Sequence, residues 1–185
     1  LARRSVSADV ADEDDVEAMV AAAAERFGGV DVLVNNAGLH LGRFNETSTL
    51  PVAEWRRSLD VNVIGAMTCA RACRSSMAAR GGGVIINTSS NAALRGPPDM
   101  FAYASSKWGI RGMSKAAASE LAKYNIRVNT VLPGIIDTEM YRSNGPERCA
   151  ELDKLIPLGR RGMPSDIAEL MVFLASEKAS YFSGA

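Results

Sequence analysis

Hydrophobic residues near the start of the chain recur with the period of a helix. Four acidic residues at positions 12–15 come first, where negative charge suits the positive end of a helix. The apolar stripe that follows, with the spacing i, i+3, i+4, i+7 and i+11, consists of Val16, Met19, Val20, Ala23 and Phe27. Gly28 and Gly29 then end the pattern, which predicts an amphipathic helix.

Three short runs have the β-branched composition of buried strands. They are VDVLVNNAG (30–38), GVIINTSS (83–90) and IRVNTVLPG (126–134). Long helical patterns over 51–79 and 104–124 separate them, and a last helix is predicted over 165–175. Strands that alternate with helices are typical of a parallel sheet covered on both faces. We therefore expect an α/β fold with a doubly wound parallel sheet in three α/β/α layers.

Each predicted strand ends in small polar residues or glycine, at 35–38, 88–90 and 133–134. Ligands of open α/β sheets bind just beyond the carboxyl ends of the strands, so the three clusters are expected to face one crevice. Taken singly, each cluster is explained equally well as a good strand-to-helix turn.

Composition and charge narrow the function. Hydrophobic residues make up 47% and charged residues 23%, and 21 basic residues balance 21 acidic ones, so neither nucleic acid nor a membrane surface is an expected partner. The three cysteines have no histidine cluster around them, which favours reduced buried thiols over a metal site. With no apolar run of bilayer length and no signal peptide, we expect a cytoplasmic protein.

Candidate chemistry lies in YASSK, which sets Tyr103 four residues before Lys107 on one face of a predicted helix. A free tyrosine has a pKa of about 10, and a neighbouring ammonium is expected to lower it toward neutrality. Ser90 ends the preceding strand, thirteen residues before the tyrosine, where its hydroxyl can hold a carbonyl oxygen beside the phenol.

With these motifs in view, the chain resembles the short-chain dehydrogenase/reductase family. The resemblance rests on NNAG, on the serine thirteen residues before YASSK, on the asparagine of LDVNVIGAM and on PGIIDT, all in the family's order and spacing. The stretch from Tyr103 onward is most similar to bacterial hydroxysteroid dehydrogenases, with 3-oxoacyl-[acyl-carrier-protein] reductases close behind. The resemblance implies a Rossmann-type fold and NAD or NADP as cofactor.

The resemblance also implies the catalytic roles. Tyr103 is the general acid for ketone reduction or the base for alcohol oxidation, and Lys107 tunes it and binds the nicotinamide ribose. Ser90 polarises the substrate oxygen, with Ser89 as a rival that the spacing disfavours. Asn62 helps to hold a water that connects Lys107 to solvent, although alone it reads as a polar residue at a helix kink.

Other matching positions are implied to bind the cofactor beside Tyr103 and Lys107. Asp9 is implied to accept a bond from the adenine amino group, or else is simply a carboxylate that leads a helix. Val10, which follows Asp9, is also implied to bind the cofactor. The implied contacts to the adenosine ribose and the nicotinamide are Asn36, Ala37, Gly38, Pro133, Gly134, Ile136 and Thr138. No metal ligand is implied.

The sequence departs from the family's pattern at both ends. The family begins with a strand and a Gly-rich turn that holds the pyrophosphate, whereas this sequence starts at LARRSVSADV, after the family's second strand. The residue that separates NAD from NADP is also missing, and YFSGA stops inside the family's last strand. We expect a single NAD(P)-binding domain over 1–185, truncated at both ends.

The leading functional hypothesis is an oxidoreductase that moves a hydride between NAD(P)(H) and the carbonyl or secondary alcohol of a neutral, mostly apolar small molecule. The alternatives are a 3-oxoacyl-thioester reductase of fatty-acid type and a non-catalytic relative that senses cofactor or acts as a scaffold. The predicted substrate pocket is lined by Leu94, Met100, Met140 and Tyr141, with His40 and Leu41 at its rim.

The two long helices, 51–79 and 104–124, carry more apolar residues than one buried face requires. The resemblance implies a homodimer or homotetramer built through them. The interface candidates are Ala66, Met67, Ala70, Cys73, Met113, Ala116, Ala117 and Leu121.

Overall fold

A computed structural model describes residues 5–41 and 46–185. The strands are β1 (Val32–Asn35), β2 (Gly83–Thr88) and β3 (Ile126–Val131). The helices are α1 (Glu13–Phe27), α2 (Val52–Leu59), α3 (Ala66–Ala79), α4 (Ala92–Arg95), α5 (Phe101–Leu121), α6 (Glu139–Arg142), α7 (Pro146–Asp153) and α8 (Pro164–Ala175). A π-helical segment, Asp60–Gly65, joins α2 to α3.

The three strands form one parallel sheet in the order β1-β2-β3. Val32 pairs with Val84, and Gly83 pairs with Ile126. The three parallel strands therefore begin at the same edge of the sheet. Their carboxyl ends therefore meet at one side of the sheet, as the sequence predicts.

Alternate residues of β2 face opposite sides of the sheet, and helices cover both sides. Ile85 packs with α3 and α5 in a core that includes Met77 and Leu121. Val84 and Ile86 pack on the other side against α8. The predicted three-layer α/β architecture is confirmed.

Buried amides tie the strands to the helices. The Asn35 side chain donates to the Asn87 side chain (2.8 Å) and to the carbonyl of Ala66. Asn87 donates in turn to the hydroxyl of Ser114 on α5 (2.8 Å). Because each group inside this face finds a partner, the network fixes the distance between the sheet and the two helices.

The helix predicted over 51–79 is interrupted by the π-helical segment. Asn62 and Gly65 lie in it and are buried. A Cβ at Gly65 would lie 2.8 Å from the carbonyl oxygen of Val10, so the chain before α1 can approach only because this residue is glycine. Such π bulges are frequent at functional sites.

The segment around Asp9 forms a turn that leads into α1. The Asp9 amide donates to the Asp15 carboxylate (2.8 Å), while its own carboxylate accepts the amide of Ala11. Asp12 is the residue that caps α1, through the amide of Asp15. The local carboxylates thus satisfy these backbone groups in a turn.

The proposed interface residues divide between surface and core. Ala66, Cys73 and Leu121 are buried within the chain, so their assignment to an interface is wrong: α3 and α5 turn them toward the sheet. Met67 is 40% exposed, as predicted for an interface residue. Trp108, which the sequence reading did not include, is 53% exposed on α5.

We predict that Ile85→Ala lowers the free energy of unfolding by about 2–5 kcal/mol, because it leaves a cavity between the sheet and α3 and α5. Urea unfolding followed by circular dichroism measures the loss. Val172→Ala is the control, since Val172 is 65% exposed and should change stability by less than about 0.5 kcal/mol. Equal effects of the two substitutions would contradict this assignment of the core.

Candidate active site

A cavity of about 810 Å³ opens beyond the carboxyl ends of the strands. Residues from all three strand ends line it, as the sequence predicts for a common crevice. They are Asn36, Gly38, Thr88, Ser89, Ser90, Pro133 and Gly134. Its volume is within the range of small-molecule sites.

Tyr103 lies in the first turn of α5, where its ring lines the cavity. The Ser90 hydroxyl hydrogen-bonds the phenol. The ring of His40 stacks on the tyrosine with 4.3 Å between centroids. Ser90 and Tyr103 therefore present two hydroxyl groups to the same point of the cavity.

Lys107 follows one helical turn later and is almost completely buried. Its ammonium donates to the carbonyl of Thr88 at the end of β2 (2.9 Å) and lies 5.7 Å from the centre of the Tyr103 ring. Burial lowers the pKa of Lys107 from 10.5 to about 8. A charged group is thus held in a protein interior by one carbonyl, next to the phenol.

The expectation that Lys107 lowers the pKa of Tyr103 is not met. Burial raises the pKa of Tyr103 above its ordinary value, and the hydrogen bond from Ser90 offsets only part of that rise. Removal from water dominates because the charged phenolate loses more solvation than one hydrogen bond returns. The phenol is therefore held in its protonated form.

Asn62 is fully buried and uses its amide to brace the loop before the cavity. Its Oδ1 accepts the amide of Leu39 (2.7 Å), and its Nδ2 donates to the carbonyl of Leu39 and to the Ser106 hydroxyl. Ser106 donates in turn to the carbonyl of Tyr103 (2.7 Å). The side chain therefore links the β1 loop to the first turn of α5.

Ser89 and Ser90 have different environments. The Ser89 hydroxyl donates to the backbone carbonyl of Lys107 (2.7 Å), which joins β2 to α5. The Ser90 hydroxyl is the one that meets Tyr103, and it also accepts the amide of Ala92. The geometry thus favours Ser90, the serine chosen by its spacing.

One end of the cavity fits the ribose and nicotinamide of a dinucleotide. A Cβ on Gly38 would lie 3.3 Å from the Lys107 ammonium and 3.4 Å from Asn62 Oδ1, so a side chain there would crowd both groups. Ile136 and Thr138 line the same cavity, and the Thr138 hydroxyl caps α6 through the amide of Tyr141. The residues present can therefore receive the cofactor.

Asp9, Val10 and Ala37 do not line this cavity, although the resemblance implies a cofactor role for them. The Asp9 carboxylate pairs with Arg57 (2.8 Å), and its pKa is lowered first by the bond from the amide of Ala11 and then by Arg57. Ala37 itself lies between Asn36 and Gly38, which do line the cavity.

The predicted substrate pocket is partly correct. Met100, Met140, Tyr141 and His40 line the cavity. Leu94 and Leu41 do not, and Leu94 is 59% exposed because α4 turns it away.

A family model described as "Enoyl-(Acyl carrier protein) reductase" matches residues 1–185, the full length of the sequence. The chain belongs to the short-chain dehydrogenase/reductase family. The resemblance inferred from the sequence motifs is thereby confirmed. The prediction that the protein is an oxidoreductase and the prediction that its cofactor is NAD or NADP are confirmed with it.

Characterised members of the family are close in sequence and structure. The 3α-hydroxysteroid dehydrogenase of Mediterraneibacter gnavus is 41% identical over 94% of this chain and 68% of its own length. The trans-4-hydroxycyclohexanecarboxylate dehydrogenase of Sinomonas cyclohexanicum is 43% identical over 97% of this chain and 66% of its own. The crystal structure of NAD⁺-bound xylitol dehydrogenase superposes with a TM-score of 0.91 at 32% identity, over 98% of this chain and 75% of that one.

Two features of this dehydrogenase/reductase site escaped the sequence reading. The stacking of His40 on Tyr103 depends on a loop conformation that no local pattern reports. The bond from Ser106 to the carbonyl of Tyr103 was missed for a different reason: Ser106 lies inside YASSK and was passed over beside the tyrosine and lysine.

Cys69, Cys73 and Cys149 are free and buried, as predicted. Burial raises the pKa of Cys73 to about 11, which keeps the thiol protonated. Within residues 5–41 and 46–185 there is no cluster of metal-binding side chains, and no helix has the length and apolarity to cross a bilayer.

We predict that Lys107→Met makes the protein more stable at pH 7 and that this gain shrinks by pH 10. The folded-state pKa of about 8 lies below the ordinary 10.5, so the buried charge destabilises the fold fully below pH 8 and no longer above pH 10.5. The shift is worth at most roughly 3 kcal/mol, less about 1 kcal/mol for the lost bond to Thr88.

Urea unfolding of both proteins at the two pH values measures the change. Lys115→Met, at an exposed position of the same helix, controls for the loss of one lysine. A Lys107→Met effect that is the same at pH 7 and pH 10 would show that the lysine titrates as it does in water.

Proposed function

We propose that the protein transfers a hydride between NAD(P)H and a ketone, or between a secondary alcohol and NAD(P)⁺. The observation that carries the proposal is the hydrogen bond between the Ser90 and Tyr103 hydroxyls. Beside them, at the carboxyl end of β2, lies the buried Lys107. Two hydroxyl donors at one point can hold a carbonyl oxygen, and the cavity provides room for both reactants.

In the reduction, a bound NAD(P)H would supply a hydride to the carbonyl carbon, and the carbonyl oxygen would need one proton. Tyr103 donates it, since burial keeps the phenol protonated. Ser90 donates a hydrogen bond to the same oxygen and stabilises the negative charge that develops on it. In the oxidation the proton returns from the alcohol to the tyrosine oxygen.

Lys107 and Asn62 are proposed to support the proton transfer by Tyr103 indirectly. The ammonium lies 5.7 Å from the centre of the Tyr103 ring, and we propose that it donates to ribose hydroxyls. Both Nδ2 hydrogens of Asn62 are engaged, so a water held by this residue would bond its backbone carbonyl or the remaining Oδ1 lone pair. The side chain itself positions Leu39.

The substrate skeleton is proposed to be mostly apolar. Met100, Met140 and Tyr141 form part of the wall beyond Tyr103, together with Leu155 and Ile135. The names of both relatives describe hydroxylated ring compounds, which fits a wall of this kind. The proposal places the reaction in the cytoplasm, where nicotinamide cofactors are available and thiols such as the three buried cysteines stay reduced.

We also propose that the protein, folded as one domain, forms a dimer or tetramer through the face shared by α3 and α5. Met67 on α3, Trp108 on α5 and Ile64, in the π-helical segment before α3, are each at least 40% exposed. A closely spaced apolar group of this kind on helices is typical of a covered surface. Self-association with two-fold symmetry is the commonest way to cover it.

We predict that Tyr103→Phe in the full-length protein lowers kcat at least a hundredfold and leaves the Kd for NADH within a few-fold. The substitution removes the proton donor and keeps the ring against His40. Stopped-flow absorbance at 340 nm and fluorescence titration give the two values. Tyr124→Phe, in the core beside α3, is the matched control. Retention of a tenth of the wild-type rate by Tyr103→Phe would refute the catalytic assignment.

We predict that Met67→Glu reduces the mass of the full-length protein in light scattering to that of a smaller assembly. A charge at the centre of an apolar contact must lose water without gaining a partner. Leu158→Glu, at a position that is 84% exposed, should leave the mass unchanged. A wild-type protein that is monomeric at micromolar concentration would rule the assembly out.

A further inference from the structure

The cavity has an uneven distribution of charge. Three cationic side chains line it, namely Arg95, Lys107 and Arg148. None of its described lining residues is an aspartate or a glutamate. Because the whole chain has equal numbers of acidic and basic residues, this imbalance is local to the cavity.

The three cations differ in what already binds them. Lys107 donates to the carbonyl of Thr88, and Arg148 pairs with Glu151 on the same helix (2.7 Å). Arg95 is exposed, and no hydrogen bond or ion pair engages its guanidinium among the described residues. Its donors are therefore available to a molecule in the cavity.

The backbone of Arg95 is close in the chain to the reacting groups. It is the last residue of α4, a single turn that begins at Ala92. The amide of Ala92 donates to the hydroxyl of Ser90 (3.1 Å), so α4 starts from the same serine that meets Tyr103. Along the backbone, the single turn of α4 thus separates Arg95 from Ser90.

The lining next to Arg95 is mostly apolar. Pro97, Pro98 and Met100 follow Arg95 along the chain and line the cavity, and Asn91 and Ala92 line it between Ser90 and Arg95. A substrate that reaches Arg95 would therefore meet apolar wall beside the guanidinium. A planar guanidinium binds a carboxylate with two parallel hydrogen bonds, which gives it a geometric preference for that group.

We propose that the substrate is a hydroxy or keto carboxylic acid whose carboxylate is bound by Arg95, at the opposite end of an apolar skeleton from the reacting oxygen. This inference rests on the proposed function and replaces the neutral substrate expected from the sequence. Arg148 adds positive potential at the rim, which attracts an anion to the cavity and raises its association rate.

The test is calorimetric titration of the full-length protein, saturated with NADH, with cyclohexanecarboxylate and with its methyl ester as probes. The acid should bind at least tenfold more tightly than the ester. Arg95→Gln should remove that preference and leave the ester unchanged, since a hydrogen-bonded charge pair is worth a factor of about ten or more. Arg26→Gln, outside the cavity at the end of α1, is the matched control and should bind like the wild type.

Equal affinity for acid and ester, or an Arg95→Gln protein that keeps the preference, would overturn the inference. A wild-type protein that reduces acetoacetyl-coenzyme A much faster than 4-oxocyclohexanecarboxylate would also overturn it, because the anion recognised would then be a phosphate. The proposed function fails on a different result: no turnover of any ketone with NADH or NADPH. The calorimetric preference for the acid is measured without turnover, so the two failures are distinguishable.

Discussion

The site depends on the burial of one ammonium group. Lys107 is held between the end of β2 and the ring of Tyr103, with the carbonyl of Thr88 as its hydrogen-bond acceptor. An ion in such a place is unfavourable, which is why its pKa falls to about 8. The fold tolerates the cost because Ser89, from the same strand end, ties β2 to the backbone of this lysine. A structural penalty is thus retained beside Tyr103.

The surrounding polar network explains how the fold accommodates the unfavourable burial of the Lys107 ammonium. Asn62 holds both backbone groups of Leu39 and, through Ser106, the first turn of α5. A π-helical segment is needed to aim this asparagine inward, and Gly65 lets the preceding chain pack against the same segment. These contacts fix the loop that carries Gly38, whose missing side chain leaves the ammonium accessible from the cavity. The same contacts therefore keep the surroundings of Lys107 rigid and leave its ammonium open to the cavity.

The two ends of the cavity are chemically different. At the Tyr103 end, the groups that face the cavity are hydroxyls and a buried cation, suited to a reacting carbonyl oxygen. At the α4 end, an exposed arginine, Arg95, is followed along the chain by proline and methionine residues that also line the cavity. The short helix α4, whose first amide donates to the Ser90 hydroxyl, lies in the chain between Ser90 and the residues of the α4 end.

The sequence by itself determined the layers of the fold, the common crevice and the identity of the Ser90, Tyr103 and Lys107 cluster. Strand and helix periods are local, and the family's motifs are spaced along a continuous chain, so both can be read without coordinates. The direction of the Tyr103 pKa shift, the partners of Asn62 and the turn at Asp9 were decided only by the tertiary structure. The tertiary structure alone also decided that Ala66, Cys73 and Leu121 are buried and do not lie on the exposed face of their helices. Each of these depends on desolvation or on contacts between residues far apart in the chain, and a sequence pattern carries no measure of either.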